Sequence, residues 1–167
     1  MKLEEYYPEI IVNTSNISKF GINNINNIKE VKSKIYDYFD DKYISNENIT
    51  KPITNVDTGI NIEIWKSGVN ETFGNAKYYK NLSLKEKKLK LATMDNLAKM
   101  IKYGKIRSKT RPNDHNPKST IQYYYLEHPI IVDGIKYMVN IDIRRVPNTN
   151  GRFYIHSIST KKWNYYK

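Results

Sequence analysis

Cysteine is absent from this chain of 167 residues, and its absence excludes several classes of protein. A cysteine nucleophile, a thiolate-bound zinc ion and a disulfide framework all require a thiol. Disulfides are rare in reducing compartments, so the absence agrees with the cytoplasmic location that we expect. No apolar run approaches the ~18 residues of a membrane span, and we expect no membrane partner.

Glycine and histidine are also scarce, with seven and three residues respectively. The chain lacks a Gly-x4-Gly-Lys loop to cradle a phosphate and a Gly-x-Ser-x-Gly turn to present a serine nucleophile. The histidines lack the spacing of metal ligands, and Asp37, Asp40 and Asp41 lack the turn and glycine of a calcium loop. We therefore expect neither a metal ion nor an organic cofactor.

Acidic residues are few, and the chain has a net charge of +11. Most of this excess positive charge lies in one part of the chain. Residues 76–120 carry 13 Lys and Arg against 3 Asp and Glu, whereas residues 1–75 carry 8 against 11. Such a basic stretch attracts polyanions, and nucleic acid is the first candidate. A solvated, lysine-rich helix face has the same composition and is the alternative. The side chains that we expect to bind nucleic acid are Lys66, Lys77, Lys80, Lys87, Lys88, Lys105, Arg107, Lys109, Arg111, Ser159 and Thr160.

The spacing of apolar residues predicts helices first and strands afterwards. Helical spacing runs over residues 27–43, and Thr93 is predicted to cap a second helix that ends at Gly104. A short strand is expected at 9–13, and alternation predicts another at 60–65. Lys66-Ser67-Gly68 is interpreted as a turn, and residues 105–119 as a basic loop.

The C-terminal third is predicted to be a set of antiparallel strands. Asp133-Gly134 is a two-residue hairpin signal, and Tyr137, Val139, Ile141 and Ile143 alternate onto one face of the strand that follows it. The order predicts an α+β fold, with N-terminal helices packed on one face of a four- to five-stranded antiparallel sheet. The other face is expected to be open, concave and polar. We divide the chain into an N-terminal extension with one helix (1–50), the α+β domain (51–162) and a basic aromatic tail (163–167).

His156 is the main candidate for chemistry because it lies within the last predicted strand, on the face that Tyr154 and Ile158 share. A histidine in a strand also serves as an ordinary hydrogen-bonded residue, and both readings stay open. His128 is interpreted as structural and His115 as a solvent-exposed loop residue. Arg144 and Arg145 lie on opposite faces of their strand, and the sequence does not decide which joins His156.

These residues suit metal-free cleavage of a phosphodiester. The reaction needs a base for the ribose 2′-hydroxyl, an acid for the leaving 5′-oxygen and a cation for the phosphorane. Glu71, His156 and one of Arg144 and Arg145 supply these groups, and Tyr154 is a further candidate. An ordinary surface carboxylate is the alternative for Glu71.

Several motifs together resemble a known family. They are Asn55-x-Asp57-Thr58-Gly59, Ser67-Gly68-Val69-Asn70-Glu71-Thr72, Thr93-x-x-Asn96-Leu97, Val132-Asp133-Gly134-x-x-Tyr137-x-Val139 and Tyr154-x-His156. Over about residues 50–160 the chain resembles the small nuclease-like domains of phage and mobile-element polyvalent proteins. Those domains are grouped with the fold of barnase, EndoU, the ribonuclease colicins and RelE.

The resemblance implies a metal-independent endoribonuclease acting as a toxin or effector in a bacterial host. By position, His156 would be the acid/base residue, and Glu71 stands where these domains often have histidine. We expect Glu71 to act as the base and His156 as the acid. RNA, either tRNA or mRNA, is the expected partner, and an acidic immunity, antitoxin or host defence protein is a second. Two alternatives remain: a catalytically inactive nucleic-acid-binding or anti-defence protein of the same fold, and a phage structural or partner-binding module.

Overall fold

A mixed β-sheet forms the centre of the molecule, and the helices cover one of its faces. The computed structural model describes residues 7–40, 42–110, 122–145 and 152–163. The strands are β1 (Ile11–Val12), β2 (Ile53–Thr54), β3 (Asn61–Glu63), β4 (Lys105–Thr110), β5 (Gln122–Val132), β6 (Ile135–Arg145) and β7 (Phe153–Lys162). The helices are a 3-10 helix (Thr14–Phe20), α1 (Ile28–Asp40), α2 (Lys66–Phe73), α3 (Ala76–Lys80), α4 (Leu84–Asp95) and α5 (Leu97–Tyr103).

The strands follow the order β1, β5, β6, β7, β3 and β2 across the sheet, and β4 pairs with β5 on the same side as β1. Parallel pairing joins β1 to β5 and β3 to β7, and the other pairs are antiparallel. The predicted α+β class is confirmed. The prediction of four to five antiparallel strands is wrong, because the described residues contain seven strands in a mixed sheet.

The strands expected at 9–13 and 60–65 are present as β1 and β3. Two other strands carry no clear signal in the sequence. β2 has only two residues, too few for an alternation. The segment Lys105–Thr110 is strongly polar, so it was interpreted as loop although it forms β4. The rest of that predicted loop, 111–119, lies outside the described residues.

The β5–β6 hairpin confirms the strongest local prediction. Asp133 and Gly134 both have positive φ, 50° and 79°, as a tight two-residue turn between twisted strands requires. The turn sets a register in which Val132 pairs with Ile135. As a result the four apolar residues predicted for one face of β6 are all buried. Pro129 is tolerated within β5 because it lies between the segments that pair with β4 and β1, where its missing N–H is not needed.

The helices differ from their predicted starts. The helix that ends at Gly104 is α5, and its N-cap is Asn96 and not Thr93. The preceding helix, α4, is capped by Ser83, whose hydroxyl accepts from the Glu86 N–H at 3.1 Å in a capping box. Thr93 lies inside α4 and donates its hydroxyl to the Leu89 carbonyl at 2.9 Å. Lys66-Ser67-Gly68, interpreted as a turn, is the first turn of α2.

The N-terminal part of the chain contributes to the same core as the sheet. Val31, Ile35 and Phe39 form the buried stripe of α1, and they belong to one apolar cluster with Ile141 and Ile155. Residues assigned above to an extension therefore help to bury the helix-facing side of the sheet. None of the helices in the described ranges is long and apolar enough to cross a membrane.

Candidate functional site

A β-bulge in β7 determines where His156 lies. Asp142 pairs with Ser157 while the next residue of β6, Ile143, pairs with Ile155, so His156 is the extra residue of the bulge. The bulge also breaks the simple alternation: Ile155 and Ile158, three residues apart, are both buried. Ile158 therefore lies in the core, and the prediction that it shares a face with His156 is wrong.

Arg144 is the arginine near His156. It pairs in register with Tyr154 on β7 and Tyr123 on β5, its guanidinium lies 4.8 Å from the centre of the Tyr123 ring, and it forms an ion pair with Asp142 at 3.2 Å. Arg145 is the next residue of the strand and packs over the Phe153 ring at 5.7 Å. Its buried Nε has no hydrogen-bond partner among the described residues.

Helix α2 brings Glu71 beside the same part of β7. A Cβ atom on Gly68 would lie 2.4 Å from the Ile155 carbonyl oxygen, so only glycine allows this close approach. The Thr72 hydroxyl donates to the Gly68 carbonyl at 2.8 Å and accepts from the Ile158 N–H at 3.0 Å. The motif that contains these residues therefore holds the helix on the strand, and Glu71 within it is exposed to solvent.

The electrostatic surroundings of His156 favour its neutral form. Burial lowers the pKa of His156 below its ordinary value of 6.5, and the charge of Arg144 lowers it further. The carboxylates of Asp142 and Glu71 oppose that shift without reversing it. Burial raises the pKa of Tyr154, so its phenol keeps its proton at neutral pH. The structure thus brings a neutral imidazole, a phenol, a guanidinium and two carboxylates into one neighbourhood.

The open face of the sheet beside these residues is polar. It includes a groove of about 470 Å³ that is lined by Arg107, Tyr125, Glu127, Asn140, Asp142, Ser157, Ser159 and Lys161. Trp65 extends the aromatic part of the surface, with its ring centre 6.0 Å from that of Tyr154. The described part of this face has both the hydrogen-bonding groups and the rings that nucleic acids contact.

The family comparison covers most of the chain. The family of large polyvalent protein-associated domain 3 matches residues 26–155. The chain belongs to that family. The predicted association with polyvalent proteins is confirmed, and the phage setting that was expected fits it. No curated protein and no solved structure gives a significant match.

The basic residues predicted for this polyvalent-protein-associated domain do not form a single patch. Lys66, Lys77 and Lys80 are exposed. Lys105 lies 3.6 Å from Asp57, and Arg107 binds Glu127 at 3.1 Å and the Tyr7 hydroxyl at 3.0 Å. The side chain of Lys109 and the whole of Arg111 lie outside the described residues.

Three further members of the predicted set lie away from the open face. Lys87 is buried, donates to Asn26 at 2.9 Å and lies over the Tyr79 ring, so we remove it from the RNA-binding set. Lys88 lies near Asp133, at the hairpin end of the sheet opposite Arg144. The hydroxyl of Thr160 shares a hydrogen bond with that of Thr93 at 3.0 Å, on the helix side. Ser159, by contrast, is exposed beside the groove.

Sequence reasoning missed several residues near His156. Asp142 could have been found, because it precedes Arg144 by two positions in a strand and must share its face. Ser157 could not, because the bulge that exposes it has no sequence signal. Lys32 and Lys90 come from α1 and α4, and only the tertiary packing brings them near Glu71.

Other prominent residues of this family member have structural roles. Asn55 is buried: its amide donates to the carbonyls of Ile101 and Gly104 at 2.8 and 2.9 Å, and its oxygen accepts from Thr58. His128 is buried against Tyr7, and His115 lies outside the described residues. No group of three acidic or histidine side chains suited to a metal ion occurs in the part of the chain that the structure describes.

Proposed function

We propose that this domain is a metal-independent endoribonuclease that cleaves RNA by attack of the 2′-hydroxyl. The observation that carries the proposal is the position of His156, a half-buried histidine at a strand bulge, flanked by Arg144, Asp142 and Glu71. Bulges often re-aim side chains at functional sites, and perturbed titratable groups concentrate there. The sequence motifs that resemble the barnase-type group, given above, point to the same reaction.

The lowered pKa of His156, beside Arg144, favours the role of base. A neutral imidazole accepts the proton of the 2′-hydroxyl, whose oxygen then attacks the adjacent phosphorus and forms a 2′,3′-cyclic phosphate. Arg144 stabilises the charge of the phosphorane. As the P–O5′ bond breaks, Tyr154, which retains its phenolic proton at neutral pH, donates that proton to the leaving 5′-oxygen, and solvent returns His156 and Tyr154 to their starting protonation states. This assignment differs from the one expected from the sequence, in which Glu71 is the base and His156 the acid.

Glu71 has a supporting role in this scheme. Its carboxylate favours the protonated imidazolium that forms once His156 has taken the proton. Replacement of Glu71 by glutamine removes that interaction and leaves the base in place. We therefore expect Glu71→Gln to lower the cleavage rate much less than His156→Ala does.

A non-catalytic RNA-binding protein of the same fold is the second candidate. It is favoured by one observation: Arg144 is already paired with Asp142 at 3.2 Å, which partly neutralises the cation that a phosphorane requires. An arginine held in this way still binds a phosphate or stacks on a base, because its guanidinium has five donors.

Cleavage of a tRNA pool in EDTA by the wild type and by His156→Ala tests the first function against the second. Tyr103→Ala is the matched control, because Tyr103 is a half-buried residue with a polar end that lies outside this groove. We expect His156→Ala to lose about 100-fold or more in rate, the usual size of a lost acid or base. Tyr103→Ala should stay within about threefold of the wild type, since it removes no group near the proposed site.

The products identify the reaction. A 2′,3′-cyclic phosphate on the upstream fragment supports attack by the 2′-hydroxyl, and RNA with a 2′-deoxy substitution at the cleaved position should resist. No cleavage by the wild type, together with salt-sensitive RNA binding, would replace the nuclease with the binding protein. Equal losses in both variants would indicate a general effect on the fold and not a role for His156.

A further inference from the structure

A second groove lies on the other side of β7 from the open sheet face. Its volume is about 710 Å³, and it lies between β7 and the helices that flank Glu71. Lys32 of α1, Tyr78 of α3 and Lys90 of α4 line it, together with Ser157 and Ser159 of β7. The same two serines line the groove on the open face, so the two grooves meet across β7.

The cations of this groove are held by neutral groups. The ammonium of Lys32 donates to the Asn70 side chain at 2.5 Å and to the Gly74 carbonyl at 2.7 Å. That of Lys90 donates to the Thr72 carbonyl at 3.0 Å. Among the residues that the structure describes, neither ammonium lies within ion-pair distance of a carboxylate. Both ammonium groups are therefore fixed in position without an ion pair, which leaves them available to a phosphate, although Glu71 lines the same groove.

Tyr78 provides the apolar part of the groove. It is 48% exposed, although the ammonium of Lys90 lies 5.6 Å from its ring centre. Its ring packs against the backbone of Gly74, where an added Cβ would lie 2.4 Å from Cδ1 of the tyrosine. An exposed, fixed ring beside anchored cations has the chemistry of a stacking platform for a base of a single strand.

We propose that this groove binds a nucleotide of single-stranded RNA, with its base stacked on Tyr78 and its phosphates held by Lys32 and Lys90. The strand would pass from the open sheet face across Ser157 and Ser159 into the groove, and so past His156 and Glu71. The inference rests on the proposed function for its ligand class, RNA. It adds the requirement that the strand be unpaired, because stacking on Tyr78 needs an accessible base face.

The test measures RNA binding in a protein that does not cleave. We would use the full chain with His156→Ala and a fluorescein-labelled, unstructured RNA of about 12 nucleotides, within the usual range for single-strand sites. Fluorescence anisotropy at fixed low salt gives the Kd. Tyr103→Ala is the matched control, because Tyr103 also has a lysine 5.2 Å from its ring centre, that of Lys102, but lies outside both grooves.

Tyr78→Ala should raise the Kd by about fivefold or more, the usual loss for one stacked base. Tyr78→Phe should keep the affinity of the parent, since stacking needs the ring and not the hydroxyl. Tyr103→Ala should bind as the parent does. Lys90→Gln should weaken binding and lower the slope of log K against log salt by about 0.7, the loss of one phosphate contact.

Equal affinities of Tyr78→Ala and its parent would overturn the proposal, as would an equal loss in Tyr103→Ala. Full displacement of the RNA by a poly-glutamate peptide at equal charge concentration would also overturn it, because the groove would then recognise charge alone. The result is separate from catalysis. A wild type that does not cleave RNA refutes the nuclease and leaves a Tyr78-dependent binding site standing, whereas cleavage unaffected by Tyr78→Ala refutes only the groove.

Discussion

The two histidines that the structure describes have lowered pKa values in different surroundings. His128 is fully buried beside Tyr7, and burial lowers its pKa to about 4. His156 is half-buried and shares its neighbourhood with one guanidinium and two carboxylates. At the residue scale, we therefore expect His128 to affect the stability of the protein, whereas we propose His156 as a catalytic group.

The pH dependence of cleavage tests the role of His156. If neutral His156 is the base, kcat/KM should rise with pH through an apparent pKa below 6.5 and then stay level to about pH 8. The pH profile of RNA cleavage in EDTA measures this directly. A rate that falls between pH 6.5 and 8 would contradict the assignment, because it would require a protonated His156 acting as the acid.

The stability of the protein should fall in acid because of His128. Its pKa is about 4 in the folded protein and 6.5 ordinarily, so only the unfolded chain takes up the proton between those values. The stabilisation is complete above pH 6.5 and is lost as pH falls toward 4, amounting to about 2 kcal/mol between pH 7 and pH 5. Urea unfolding of the wild type and His128→Leu at both pH values measures it. The variant should lose this part of the pH dependence, and an unchanged dependence would contradict the prediction.

At the scale of the element, the contact between α2 and β7 supports the candidate site. Gly68 allows the helix backbone to approach the strand, and the Thr72 hydroxyl accepts from the Ile158 N–H. Together they hold the segment that carries Glu71. The site therefore depends on a helix lying on a strand edge as much as on the side chains that line it.

Gly68→Ala should destabilise the protein although alanine is the better helix former. The new Cβ would lie 2.4 Å from a backbone oxygen, which cannot move away as a flexible side chain can. We expect a loss of about 1–3 kcal/mol, the usual cost of overpacking. Ser67→Ala, at the exposed neighbouring position of the same helix, should change stability by less than about 0.5 kcal/mol. Urea unfolding compares the two, and equal stabilities would contradict the close approach.

The elements that sequence predicted well are those with strong local signals. The β5–β6 hairpin follows from Asp133-Gly134 and the alternation after it, and α1 follows from Val31, Ile35 and Phe39. The parallel pairing of β3 with β7 joins residues about ninety positions apart and has no local signal. The bulge at His156 depends on how β7 pairs with β6, and the sequence of one strand alone does not specify that register. Arg144 and not Arg145 could be assigned to the His156 neighbourhood only once that register was known.

At the scale of the whole molecule, the excess positive charge is spread over surfaces that differ in what they can bind. Part of the basic stretch is internally paired, as in Arg107 with Glu127, and part is buried, as in Lys87. The exposed lysines of α3, Lys77 and Lys80, belong to the same short helix as Tyr78. We infer that the placement of charge, and not its total, governs affinity for RNA.

The salt dependence of RNA binding tests that inference. Contacts to about six phosphates would lower the affinity by roughly 100-fold or more between 50 and 200 mM salt. The double variant Lys77→Gln/Lys80→Gln should lower the slope of log K against log salt by about 1.4, two single-strand phosphate contacts. Lys34→Gln/Lys42→Gln removes the same charge from the acidic N-terminal part and should leave the slope within about 0.5 of the wild type. Equal reductions in both double variants would mean that net charge alone attracts the RNA.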